Sequence, residues 1–279
     1  MLIIDEAEGK VKRPFSDFII RYMDEVTPKK RRQAWEWSLL NRLLKNSIAD
    51  VVEPTESDFA KYRDSRLSEV QGVTVAKELL LISNIFTIAT KEWKWWNRDN
   101  PISNIRKPKP NPPRDRRVSE QEIEKLKAAS KYALPLDSNM KRIMHAFLFA
   151  IETAMRAGEI SSLTWENINF EKRTAFIPMT KNGEPRTVPL SVRAIELLEQ
   201  LPDDNEYCFN IWNIAENFYK LRNKTDIKNL HFHDSRHEAI TRLAKKVDAL
   251  ALARIVGHKR VNQLMTYYNE SPEDIALKL

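Results

Sequence analysis

Pro108, Pro110, Pro112 and Pro113 crowd into one stretch, NPISNIRKPKPNPPRDRR at residues 100–117, and no continuous helix can run through it. Each proline lacks the N–H that a helix needs and its ring collides with the preceding turn, so the stretch favours extended backbone. It divides the chain in two. At 279 residues the chain is long enough for each half to bury a core of its own. We read a tail over residues 1–13, a first domain over 14–104, a linker over 105–117 and a second domain over 118–279.

Upstream of the linker, FSDFIIRYMDEV, RRQAWEWSLLNRLLKN, SDFAKYRDSRLSEV and VTVAKELLLISNIFTIATKEWKWW repeat apolar residues at helical spacing, as Trp35, Leu39, Leu40, Leu43 and Leu44 do in the second. Thr55 or Ser57 is placed to cap the third. Downstream, Ser119 with Glu122 makes a capping-box pattern opening SEQEIEKLKAAS, and NMKRIMHAFLFAIETAM is apolar enough for a buried helix that encloses His145. The runs RTAFIPMT and PRTVPL flank Lys181, Asn182, Gly183 and Glu184, which predicts a hairpin with an Asn-Gly turn, the one clear β element. The expected fold is mainly α with a small β hairpin or sheet.

Charge then narrows the partner. Lys and Arg total 46 against 39 Asp and Glu, a formal +7, so the surface should attract a polyanion, with nucleic acid first. In the linker Arg106, Lys107, Lys109, Arg114, Arg116 and Arg117 suit a strap along a phosphate backbone. The single cysteine, Cys208, excludes an intramolecular disulfide and a cysteine-only metal cage, which fits a reducing cytoplasm. No run reaches the roughly 20 apolar residues of a membrane span, and MLIIDEAEGKVKR lacks the order of a signal peptide, so we expect an intracellular protein without a membrane partner. Five glycines argue against a glycine-rich nucleotide-binding architecture.

Five boxes in order, TAMRAGEI, TKNGEPRTVPL, HDSRH, GHKR and LMTYY, carry a resemblance. Residues 118–269 resemble the catalytic domain of the tyrosine recombinases of the phage-integrase type, and the helical first half is similar in character to that family's SAM-like core-binding domain. The resemblance implies a site-specific DNA recombinase, a prophage or genomic-island integrase, working through a 3′-phosphotyrosyl intermediate. Such chemistry needs a nucleophile, charge stabilisation on the non-bridging oxygens and an acid for the departing 5′ oxygen. By the resemblance Arg156 and Arg236 clamp the phosphate, Lys181 is the general acid, His233 a proton-transfer partner, His258 a phosphate donor and Tyr267 the nucleophile. Glu159, one turn past Arg156, is placed to orient it. Tyr268 competes with Tyr267, but adjacent helical residues point roughly 100° apart and only one can face the phosphate. His145, His231 and His237 have no place in the motif. Ser235 stands where leucine is common, and Ile255 and Val256 precede the GHKR box in place of the usual leucine.

The resemblance further implies double-stranded DNA at a core or attachment site as partner, a homo-oligomer that is a dimer on a site and a tetramer in the synapse, accessory DNA-bending proteins, and no cofactor or metal. Fewer than about 15 residues precede the first predicted helix, below an independent arm-binding fold, which resembles either the simpler recombinases or a truncated integrase. Ser271, Pro272 and Asp274 suggest a short terminal helix too small to stand alone, and the resemblance implies that it docks on a neighbouring protomer. Xer-like resolution and inversion are alternatives within the family. From other classes, a non-catalytic DNA-binding protein on the same fold is one, and a zinc hydrolase built on His231, His233, Asp234 and His237 is another.

Overall fold

The computed structural model describes residues 3–5, 10–30, 33–109, 112, 114–178, 185–258, 264, 265, 267 and 268. The chain forms two compact units, Met1–Pro113 and Arg114–Leu279, so the division falls inside the proline-rich stretch.

The first unit opens on β1 (Ile3–Asp5) paired antiparallel with β2 (Lys10–Lys12), Ile3 opposite Lys12, a hairpin where the sequence pattern suggests only a tail. Four helices follow: α1 (Phe15–Glu25), α2 (Gln33–Leu44), α3 (Glu56–Glu69) and α4 (Gly72–Ile88). Thr55 caps α3 in a capping box with Asp58, which satisfies backbone donors that the first turn leaves free. Phe15 and Phe86 stack with centroids 5.3 Å apart, and Phe59 meets both edge-on. Inside this core Glu78 accepts from Arg66 Nε and Nη2, Tyr62 Oη and Arg42 Nη1 at 2.9–3.0 Å. These donors outweigh the burial that would raise its pKa, and the carboxyl is held below the usual range. α4 ends in a π turn (Ala89–Trp93) closed by Lys94 in the left-handed region. Gly72–Trp93 is long and apolar enough to cross a membrane, which corrects the expectation that no such run exists. Its Val75, Leu79, Ile82, Ile85 and Phe86 are instead the packed centre of this unit.

The second unit sets α5 (Glu120–Ser130), α6 (Asn139–Thr153) and α7 (Ala157–Ser161) ahead of a sheet of β3 (Ile168–Asn169), β4 (Thr174–Ile177) and β5 (Arg186–Pro189). All pairings are antiparallel, with Ala175 opposite both Ile168 and Val188. The hairpin is therefore one side of a three-stranded sheet, and the two-residue β3 is too short to register as a period. Then come α8 (Val192–Glu199), α9 (Ile214–Arg222), α10 (Asp234–Ala244) and α11 (Ala249–Val256). Ser119 forms the expected capping box with Glu122. On α6 the fully buried His145 donates from Nε2 to the Leu197 carbonyl at 2.6 Å, which makes Nδ1 the acceptor for Tyr132 Oη at 2.7 Å. Burial pushes this imidazole down to about 4, so it is a neutral packing group. α10 packs on α6, α11 packs on β5, and Ala154, Ala239, Ile240, Leu252, Ala253, Val256 and Leu264 form a small core there.

Candidate active site

The site is assembled from helix ends. α6 stops at Ala154, whose φ of 54° is left-handed, and the reversal delivers Arg156 as the residue before α7. Arg156 is tied to Glu159 twice, by its N–H to Oε2 and by Nη1 to Oε1, both at 2.8 Å. Burial works to raise the Glu159 pKa, but hydrogen bonds from Arg186 and from the Arg156 N–H and guanidinium prevail and hold it down to about 2. Glu159 is thus a fixed anion next to Arg156.

Arg236 comes from the first turn of α10 and is 3% exposed. Its guanidinium donates to the carbonyl oxygens of Ala154 and of Val256, the latter at 2.6 Å, and so joins the ends of α6 and α11. Burial, with Arg156 nearby, pushes its pKa down to about 9, which leaves it charged at neutral pH. His233 stands exposed immediately before α10. At the end of α11, Gly257 takes a φ of 68°, a region that a glycine enters without strain, and the chain turns to present His258. Burial first, then the charges of Arg236, Arg156 and Arg186, push the His258 imidazole down to about 4, and its buried Nδ1 has no hydrogen-bond partner among the described residues. A neutral ring held among three arginines is well placed to donate to an anion.

Tyr267 is half-buried, its ring centroid 5.0 Å from that of His237. Burial raises its phenol, and the Arg236 charge works the other way. Tyr268 points elsewhere: its hydroxyl donates to the Val247 carbonyl at 2.8 Å. The structure thus brings together Arg156, Glu159, Arg236, His258 and Tyr267, with His233 on the adjoining turn. Lys181, its Asn-Gly turn and the terminal segment with Ser271, Pro272 and Asp274 lie outside the described residues.

The six linker cations divide into two groups. Arg106, Lys107 and Lys109 are exposed at the end of the first unit. Arg114, Arg116 and Arg117 instead carry ion pairs within the second unit. Arg114 meets both Asp234 oxygens at 2.9 and 2.8 Å, Arg116 meets Glu122, and Arg117 meets both Glu238 oxygens at 2.6 and 3.1 Å. Asp115 adds a 3.4 Å contact to His237. Arg114 and Arg117 so fasten residues 114–117 along the start of α10, which is next to His233 and Arg236.

Residues 116–274 match the Phage integrase family, and residues 12–109 match the Phage integrase N-terminal domain. The chain belongs to the phage integrase family. Its members are site-specific tyrosine recombinases, enzymes that cleave and rejoin DNA. A Haemophilus influenzae protein named "Putative integrase/recombinase" is 43% identical, over 91% of this chain and 86% of its own length. The shufflon-specific DNA recombinase of Escherichia coli is 37% identical, over 92% of this chain and 69% of its own. In fold, the chain is similar to lambda integrase in a dimer bound to a COC′ core site, with a TM-score of 0.76, 16% identity and coverage of 92% and 78%.

The zinc-hydrolase alternative loses one of its four ligands, because Asp234 is taken by Arg114 and by the His231 N–H. Among the described residues no three His, Cys, Asp or Glu side chains gather to hold a metal ion. Sequence reasoning missed Arg186, which donates to both Glu159 oxygens at 2.7 and 2.8 Å. One signal was available: Arg186 alternates with Val188 and Leu190, so a cation stands on the inward face of a strand.

Proposed function

We propose that Tyr267 attacks the scissile phosphodiester of a double-stranded core or attachment site, forming a 3′-phosphotyrosyl bond as the bond to the 5′ oxygen breaks. The 5′ oxygen leaves as a hydroxyl after taking a proton from Lys181, and attack by a 5′ hydroxyl of the partner strand reverses the step. The phosphotyrosyl bond conserves the energy of the broken linkage, so no nucleotide is required. Arg156 and Arg236 stabilise charge on the non-bridging oxygens, His258 donates to one of them and His233 moves the proton of the attacking phenol. The convergence of Arg156, Arg236 and His258 beside Tyr267, with Tyr268 engaged on Val247, is the observation that carries this reading. We further propose a dimer on each site and a tetramer in the synapse, acting on DNA in the cytoplasm.

Integration and excision of a mobile element is the favoured role. Inversion is a second reading, supported by 37% identity to a shufflon-specific recombinase against 28% to the integrase of Escherichia phage P2. The shared chemistry is tested on a nicked suicide duplex in EDTA, where an SDS-stable protein–DNA complex is expected. Absence of the complex, or a complex that forms only when zinc or magnesium is restored, counts against the mechanism.

The division of the linker cations makes a separate prediction. Replacing Arg106, Lys107 and Lys109 together by Gln should flatten the slope of log affinity against log salt by about 2.7, at roughly 0.9 for each phosphate no longer neutralised. Replacing Arg114, Arg116 and Arg117 should lower the melting temperature more than it changes the slope, since their partners are Asp234, Glu122 and Glu238. Duplex binding titrated across salt decides this, and an unchanged slope in the first triple variant removes those three residues from the DNA surface.

A further inference from the structure

Arg186 has no part in the chemistry above, yet its side chain is only 9% exposed. It opens β5, shortly after Lys181 in the sequence, and its guanidinium reaches two other parts of the site. Nη1 and Nη2 donate to the two Glu159 oxygens at 2.7 and 2.8 Å, and Nε donates to the Ile255 carbonyl at 3.2 Å. The same two carboxylate oxygens accept from the N–H and Nη1 of Arg156, each at 2.8 Å. Gly257 completes the seat, because a Cβ there would lie 3.1 Å from Arg186 Cδ, so the backbone leading to His258 passes directly against the arginine stem.

These contacts separate the two arginines by task. All three nitrogens of the Arg186 fork face Glu159 and Ile255. Arg156 is held through Nη1, and its side chain remains 21% exposed. A guanidinium anchored through one nitrogen on a fixed carboxylate can offer its remaining N–H groups to two phosphate oxygens.

We infer that Arg186 is a positioning residue for strand cleavage: through Glu159 it fixes the anchor of Arg156, and through Ile255 it sets the turn that presents His258. This rests on the reading of Arg156 as a phosphate ligand. The charged groups facing Glu159 are Arg156 from its own turn, Arg186 from β5 and Arg236 from α10. Without Arg186 the burial of Glu159 is opposed less and its pKa rises. Protonation weakens the tie to Arg156, so cleavage should begin to fail at a higher pH than in the wild type.

The test compares Arg186→Met, Arg186→Lys, Glu159→Gln, the double variant Glu159→Gln/Arg186→Met and Arg156→Ala for covalent complex on a nicked suicide duplex, duplex binding, melting and pH profile. Arg186→Met should cleave about 10–100-fold more slowly, the range for losing a group that orients a site residue. Its duplex affinity should hardly change, its acid limb should move up, and the double variant should be no slower than its slower parent, because both changes break one tie. If Arg186→Met does not fold, Arg186→Lys carries the test. One ammonium cannot span Glu159 and Ile255, so slower cleavage and a raised acid limb are expected again. Wild-type rate in the folded variant, or a loss matching the unfolded fraction with an unshifted pH profile, overturns the inference. Normal cleavage by Arg156→Ala overturns the reading beneath it, whereas an inactive Arg156→Ala beside a normal Arg186→Met overturns the inference alone.

Discussion

Tyr267→Phe is expected to fold and to bind duplex DNA as the wild type does while forming no covalent complex at all. The substitution removes one oxygen and keeps the ring, so the contact to His237, with centroids 5.0 Å apart, and the packing against the small core are retained. What disappears is the oxygen proposed to take the phosphate. Tyr268→Phe should cleave at close to the wild-type rate and lose about 1 kcal/mol of stability, since its hydroxyl is committed to the Val247 carbonyl. Covalent trapping followed by peptide mapping distinguishes the two. A phosphate found on Tyr268 would shift the nucleophile by one residue, and labelling of neither tyrosine would remove the phosphotyrosyl mechanism.

The second large effect is expected at Arg236. Arg236→Met should abolish covalent complex formation, and Arg236→Lys should reduce it by about 10²–10³-fold, the range for losing one preorganised donor to a developing charge. A lysine keeps the charge but cannot reach the Ala154 and Val256 carbonyls and a phosphate with one planar fork. Stability should change far less than activity. The methionine takes the Arg236 donor from two buried carbonyls, but it also relieves the burial of a cation that is pushed down to about 9, and the two effects oppose each other. Thermal melting beside the cleavage assay checks this. Residual cleavage by Arg236→Met, or a collapse of the fold that accounts for the missing activity, would deny Arg236 its place at the phosphate.

Most of the candidate site was legible because its residues fall in five ordered boxes that resemble one family. Arg156, His233, Arg236, His258 and Tyr267 fall in ordered boxes, and Glu159 announces itself by standing one turn beyond Arg156. The capping box at Ser119 was readable because its groups stand only three residues apart, and Thr55 was one of two caps offered, beside Ser57, for α3. The linker was harder. Its six cations look alike in sequence, and nothing near them says that Arg114 and Arg117 meet Asp234 and Glu238, which lie 120 and 121 residues further along.

What the sequence determined by itself was therefore what local backbone rules govern, namely the break at the prolines, the helical periods and the caps, together with a set of candidate groups that the ordered boxes carry by resemblance. Only the tertiary structure decided which cations face a carboxylate and which face outward, that Tyr268 is held by Val247, and that Arg186 reaches both Glu159 and Ile255. The physical reason is range. A helical period or a cap acts over three or four residues, whereas an ion pair or a buried hydrogen bond forms between whatever groups the packed core brings within about 3 Å, however far apart they stand in the chain.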